Sequence, residues 1–326
     1  MAKHFAGPAL ATAALAILSG TPALAYEVYV SNERANSITI IDSETLEVVA
    51  EVPIGQRPRG INLSPDGSEL YVLTSDDNHV TVMDTASREI LHILPSGPDP
   101  ELGVLHPTGN PLYVANEDDN LVTAIDVESQ TILAEIPVGI EPEGMGVSPD
   151  GQTVVNTSET TNMAHFIDTE SFEIYANILV DQRPRFAEFT DDGSLLYVSA
   201  EIGGTVSVIN PSVPEIVHKI EFEVPGIPQE AIQPVGVRAT ADGSKVYVAL
   251  GPSNRLAVVD GETWEVLDYL LVGQRVWQLA FTPDERYLFT TNGISNDVSV
   301  IDVETDEVVK SIQVGEQPWG VVVAPE

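Results

Sequence analysis

The stretch Ile54-Gly55-Gln56-Arg57-Pro58-Arg59-Gly60 sets the frame for the whole chain, because its proline slot recurs. The slot holds Pro58, Pro100, Pro142, Pro184, Pro234, Val276 and Pro318, at steps of 42 residues with a single step of 50. A second column, Asp42, Asp84, Asp126, Asp168, Asn210, Asp260 and Asp302, keeps the same step with the same single enlargement. Two independent columns sharing one odd interval identify seven copies of one supersecondary unit. The eight extra residues fall near Val224 to Ala231.

The unit from Pro100 to Pro142 reads as strands throughout. Leu102 to Leu105 is short and apolar and ends at His106-Pro107-Thr108-Gly109. Other copies place Asp-Gly in that turn (Asp66-Gly67, Asp150-Gly151, Asp242-Gly243), a strong hairpin signal. Leu112 to Ala115 forms a second strand, the polar Asn116-to-Asn120 segment a loop, and Leu121 to Ile125 a third strand. Thr131 to Val138 forms the fourth, and Pro137 within it suits a sheet edge, where no ladder donor is needed. Four short antiparallel strands repeated at about 40 residues mark a propeller blade. The expected fold is therefore all-β, a seven-bladed β-propeller over residues 26–326. The mature chain begins on a second-type strand, Val28 to Ser31, and ends on a first-type strand, Gly320 to Val323. The C-terminal strand is thus expected to complete the blade that the N-terminus begins, which hides a sheet edge.

Residues 1–25 read as a cleaved secretory signal: Lys3, a short apolar run from Ala9 to Leu18, and Ala23-Leu24-Ala25 before Tyr26. No other apolar run is long enough for a membrane helix. The sequence has no cysteine, which excludes disulfides, thiolate metal sites and c-type haem attachment. The reading is an exported, periplasmic protein. Its formal charge of −36 excludes nucleic acid and anionic membrane surfaces as general partners. Such a charge suits a solvated acidic surface, or a field that steers a basic electron-carrier protein such as a cytochrome.

The second-strand column, Tyr29-Val30-Ser31-Asn32, Tyr71-Val72-Leu73-Thr74, Tyr113-Val114-Ala115-Asn116 and Tyr197-Val198-Ser199-Ala200, resembles the YVTN class of propeller repeats. The segments Gln56 to Gly60, Asn156 to Phe166, Arg183 to Phe189 and Gly273 to Leu279 resemble the exported propellers called PQQ-dependent catabolism-associated, PQQ being the tricarboxylate cofactor pyrroloquinoline quinone. That resemblance implies a periplasmic accessory of PQQ-dependent (quinoprotein) alcohol oxidation, with a quinoprotein dehydrogenase as a possible partner. It implies no catalytic residues.

If first strands line a central channel, the residues flanking each proline slot ring its mouth. They are Arg57/Arg59, Asp99/Glu101, Glu141/Glu143, Arg183/Arg185, Gln233/Val235, Arg275/Trp277 and Gln317/Trp319. Five of the ten arginines and two of the three tryptophans occupy these fourteen slots. The plain structural reading is a ring of salt bridges, Arg59 with Glu101 and Glu143 with Arg185, completed by Glu33, Glu117, Glu159 and Glu201. As exposed pairs these would add about 0–1 kcal/mol each. The functional reading is a site for an anionic ligand or partner loop at Arg57, Arg59, Arg183, Arg185, Arg275, Trp277 and Trp319. Arginine forks match carboxylates, indoles stack on flat rings, and PQQ is a candidate ligand.

No catalytic or metal residue is assigned. The acidic loops at Asp76-Asp77-Asn78 and Glu117-Asp118-Asp119-Asn120 lack the D-x-D-x-D-G spacing of a calcium loop. His165 stands in a column of small residues and is expected to be hydrogen-bonded and partly buried rather than a ligand. A lactonase-type hydrolase is the alternative function, with only His106 and His165 near any channel-linked element. A protein-binding platform for a basic electron carrier is the third. The insertion near Val224 to Ala231 reads as a stiff surface loop on the mouth face, tolerated or serving as a lid or docking tab.

Overall fold

The structure, a computed structural model, describes residues 1–4 and 25–325. The expected leader, 1–25, lies almost wholly outside the described residues. No helix among them is long and apolar enough to cross a membrane.

The strands form seven four-stranded antiparallel sheets, as the repeat requires. In the Pro100 unit they are Pro100–Leu105, Leu112–Asn116, Leu121–Asp126 and Thr131–Pro137, in consecutive order from the axis to the rim. The second and third strands are buried on both faces because neighbouring sheets sandwich them, so they read as continuous apolar runs. The fourth is mostly exposed, and Pro137 lies on it at the free edge as expected. Tyr29, Tyr71, Tyr113, Tyr197 and Tyr247 are buried, filling the space between adjacent blades.

Ring closure follows the expected route. Pro318–Val323 is the inner strand of a sheet completed by Glu27–Asn32, Ser37–Asp42 and Glu47–Pro53. Val321, Val322 and Val323 pair with Val30, Tyr29 and Val28. The two ends of the chain are thereby tied through one ladder.

The acidic column explains itself at the turn between third and fourth strands. Asp42 Oδ1 accepts the amides of Glu44 and Thr45 at 3.0 and 2.7 Å, and Asp260 does the same for Glu262 and Thr263. These amides help Leu46 and Trp264 hold φ of 55° and 60°. Backbone hydrogen bonds also hold the carboxyls of Asp42, Asp84, Asp126, Asp168 and Asp260 below their ordinary range.

Hydroxyls on four of the second strands fasten their blade to the inner segment of the next. Ser31 Oγ donates to Arg59 O at 2.6 Å, Thr157 Oγ1 to Pro184 O at 3.1 Å, and Thr291 Oγ1 to Trp319 O at 2.6 Å. Inner strands run so close that a Cβ at Gly60 would meet Glu101 O at 2.6 Å. The eight-residue insertion shortens its inner strand to Val237–Ala239 and makes one 3₁₀ turn at Gln229–Ala231. Buried Val224 and Ile232 seat it between blades, beside the channel rather than across it.

Candidate functional site

Two connections meet on one face, as the repeat implied. In six of the seven blades the amide opening the second-to-third loop donates to the carbonyl just before the proline slot: Ser75 to Arg57, Glu117 to Asp99, Glu159 to Glu141, Glu201 to Arg183, Gly293 to Arg275 and Glu33 to Gln317, all at 2.8–3.1 Å. The six residues bearing those carbonyls have φ between 50° and 59°. Each is held there by an asparagine of the preceding blade: Asn36, Asn78, Asn120, Asn162, Asn254 and Asn296 accept its amide through Oδ1. This asparagine column shares the 42-residue step and was legible in the sequence beside the other two.

The residues after the slot, Arg59, Glu101, Glu143, Arg185, Val235, Trp277 and Trp319, gather at the top of the channel. Arg59 Nη1 bonds Glu101 at 2.8 Å, and its Nη2 lies 3.7 Å from Glu143 Oε1. Arg185 Nη2 meets the same Glu143 oxygen at 2.6 Å, and its other nitrogens reach Glu159 and Glu201. The half-exposed arginines complete the ring. Arg57 contacts Glu33, Asp99 and Glu101, Arg183 contacts Glu159 and Glu201, and Arg275 bonds Glu201 at 2.6 Å. The Arg59 guanidinium lies 4.6 Å over the Trp319 ring and Arg275 4.1 Å over Trp277. The two indoles sit 6.4 Å apart.

All seven expected site residues are therefore brought together, in the salt-bridged arrangement. One expectation fails: these are not exposed pairs. Arg59, Arg185, Glu101, Glu143, Glu159 and Glu201 are each at most 8% exposed. Inner-strand residues point into the axis, where neighbouring blades exclude water, and a pair there carries far more electrostatic weight than one at a surface.

The ring holds more acid than base. Five arginines lie within 4 Å of seven carboxylates, those of Glu33, Asp76, Asp99, Glu101, Glu143, Glu159 and Glu201. Protons take up part of the excess. Burial, then the hydrogen bond and charge of Glu143, push the Glu159 carboxyl up to about 9 against the pull of Arg185 and Arg183. Burial opposes ionisation of Glu143 as well, but Arg185, the Glu159 hydrogen bond and Arg59 outweigh it and keep that group below the ordinary value. Burial likewise raises Glu101, although Arg59 and Arg57 oppose it. Asp99, Glu101 and Glu117 present carboxylate oxygens within 4.8 Å of one another. The Asp99 and Glu101 carboxylates of that cluster already bind Arg57, and Glu101 binds Arg59 too.

Neither candidate histidine reaches the ring. His165 is 7% exposed, as a satisfied core histidine should be. Its Nδ1 donates to Asn177 Oδ1 at 2.5 Å and its Nε2 accepts the Gly139 amide at 2.9 Å, which fixes the neutral tautomer. Burial lowers its pKa accordingly. His106 lies at the opposite end of its blade, bonded to Thr108 and to Gly151 O.

First strands line a central channel as expected, but the sequence reading missed the charged pair inside it, below the ring. The channel cavity, about 190 Å³, is walled by Gly60, Leu102, Phe186 and Gln278 and, two residues further along each strand, by Asn62, Val104, Gly146, Glu188, Arg238 and Val322. Arg238 Nη1 bonds Glu188 Oε2 at 2.7 Å. The signal for this pair was the column four residues after the slot, where two charges stand among small and apolar residues.

With the geometry in hand, likenesses to known proteins can be placed on it. A model described as YNCE-like beta-propeller matches residues 19–108, and one described as Cytochrome D1 heme domain matches residues 66–185. No curated protein matches. Among solved structures, hydrazine synthase of Kuenenia stuttgartiensis is 21% identical, with 80% of this chain and 87% of that one covered and a TM-score of 0.72. A candidate 6-phosphogluconolactonase from Bacteroides fragilis is 17% identical, covering 94% and 99%, with a TM-score of 0.79. Dihydro-heme d1 dehydrogenase NirN, in complex with DHE, is 17% identical, covering 90% and 74%, with a TM-score of 0.65. At such identities the likeness is one of fold. The chain is a seven-bladed β-propeller, matched in part by the YNCE-like and Cytochrome D1 models, with a channel closed at one end by a buried arginine–glutamate ring.

Proposed function

We propose that this chain is a non-catalytic periplasmic binding propeller, accessory to PQQ-dependent alcohol oxidation, whose mouth face docks a cationic partner such as a basic loop of a dehydrogenase or a basic cytochrome. One observation carries the docking half: every mouth arginine is already engaged by carboxylates, and the acidic members of the ring that face solvent are Glu33, Asp76 and Asp99. A small polyanion such as PQQ would have to displace buried glutamates from Arg59 and Arg185. Arg57, Arg183 and Arg275 are more open, but each has at least one carboxylate at 2.6–2.9 Å. A depression of about 290 Å³ beside Arg183 is lined by Glu141 as well, so the open side of Arg183 already faces a carboxylate. The exported, quinoprotein-linked half rests on the residues resembling PQQ-dependent catabolism-associated propellers. The Cytochrome D1 and NirN matches place related folds among haem proteins, an analogy of fold.

The test is association with a basic mono-haem cytochrome c and with its succinylated, acidic derivative, measured across salt concentrations. Binding to the basic form alone, weakening steeply with salt and falling in a Glu33→Gln/Asp76→Asn/Asp99→Asn variant, is expected. Equal binding of both derivatives, or none, would refute docking through the acidic mouth. Calorimetric titration with PQQ separates the anion reading, which predicts saturable heat lost in Arg57→Gln/Arg183→Gln.

A further inference from the structure

The channel below the plug is built as a site in its own right. It is entered from the face opposite the arginine mouth, where Arg238, three carboxylates (Glu188, Asp191 and Glu285) and Phe281 border an outer vestibule of about 440 Å³. Its walls are apolar along Leu102, Phe186, Met145 and Val104. Amid them, Gln278 Nε2 and Trp319 Nε1 are buried with no hydrogen-bond partner among the described residues, and both residues line the cavity at 4% and 1% exposure. Asn62 Nδ2 is a third such donor. An unmade bond of this kind is costly, and a partner entering the cavity recovers that cost. Among the described residues, Arg238 is the one cation lining the cavity. It spends Nη1 on Glu188 and on Val237 O, and Nε and Nη2 have no protein hydrogen bond among the described residues.

We infer that the channel binds a short linear carboxylate bearing a second oxygen acceptor, its carboxylate at Arg238 and its acceptor at the Trp319 and Gln278 donors. The uncommitted nitrogens of Arg238, donors at depth and apolar walls between define that class. Gln278 stands two residues nearer the plug, in blade register, than Arg238. At about 3.3 Å per residue the two rings lie about 7 Å apart, the reach of a four- to five-carbon oxo acid. The cavity volume, about 190 Å³, corresponds to about six waters at about 30 Å³ each, enough for such a molecule but not for a fused-ring cofactor. Glu188 competes for Arg238. Its side chain stays 24% exposed, and burial raises its carboxyl towards about 7 against Arg238.

The probes are 4-oxopentanoate, pentanoate and 2-pentanone, titrated into the full chain by calorimetry, with tryptophan emission as a second readout because Trp319 lines the site. The oxo acid is expected to bind saturably in the millimolar range, and the ketone not at all. Pentanoate should bind several-fold more weakly, and Trp319→Phe, which leaves the Gln278 donor, should narrow that difference between the two acids. Arg238→Gln should weaken the oxo acid at least tenfold, while Glu188→Gln should tighten it, a gain that misfolding cannot imitate. Arg57→Gln, at the opposite mouth, should change nothing. Absence of saturable binding by either acid, which would leave a channel holding only water, would overturn the inference. So would an affinity indifferent to both Arg238→Gln and Glu188→Gln. Neither outcome touches the docking reading of the mouth.

Discussion

Replacing Arg185 by methionine asks how much the ring contributes. The guanidinium contacts Glu143 at 2.6 Å, a second oxygen on Glu159, and Glu201 at 3.7 Å, all inside the protein. Removing one partner of a buried pair costs about 3–5 kcal/mol, because the abandoned charge cannot be solvated. Here some compensation remains. Arg183 lies at 2.9 and 3.1 Å from Glu159 and Glu201, and Arg59 at 3.7 Å from Glu143, which favours the lower end, about 3 kcal/mol. With an unfolding entropy of about 2.1 cal/mol/K per residue over about 300 residues, that corresponds to a fall in melting temperature of about 5 °C. The pH dependence is the sharper signature. Without Arg185 the stranded glutamates take up protons in the folded state more strongly than in the unfolded one. Their folded pKa rises, so the penalty is small below the unfolded value near 4.5 and grows as pH increases. Denaturant unfolding of both proteins at pH 5 and pH 8 should therefore show the larger gap at pH 8. A gap below about 1 kcal/mol, or one independent of pH, would place these pairs with ordinary surface salt bridges and refute the reasoning.

Three further outcomes follow from the same structure. Glu159, pushed up to about 9, withdraws stability as pH rises from near 4.5 through 9, so Glu159→Gln should flatten that slope relative to the parent in unfolding at stepped pH. Deleting residues 321–326 removes the rungs that Val321 to Val323 make with Val28 to Val30, and calorimetry should show a sharply lowered melt; an unchanged melt would contradict closure through this ladder. Asn120→Ala loses both the bond to the Glu141 amide at 3.0 Å and a side chain tolerant of φ near 59°, at about 1–3 kcal/mol by chemical denaturation, whereas Asn120→Gly should recover most of the conformational part.

The periodic spacing of Pro58 and its counterparts, with the Asp42 column, already carried the blade count, the strand order and the closing strand. Those properties are local and repeated: each is a turn or a strand pattern seven times over, so the chain states it seven times. It also carried the meeting of Arg57, Arg59, Arg183, Arg185, Arg275, Trp277 and Trp319, since equal positions in equal blades must share one ring. Their state was not legible. Arg57 and Arg59 differ by two positions, yet one is half-exposed and the other shut inside, because burial depends on how closely neighbouring inner strands approach the axis.

Two decisions belonged to the tertiary structure alone. Whether the mouth arginines would be free to meet an anion depended on the carboxyl groups opposite them, such as Glu159 on a loop of the same face and Glu201 one blade further on, and no spacing rule weighs five arginines against seven carboxyl groups across a gap. The channel's unpaired donors at Gln278 and Trp319 were equally hidden. A hydrogen bond not made is a property of all the surrounding atoms at once, and a sequence names only the group that could have made it.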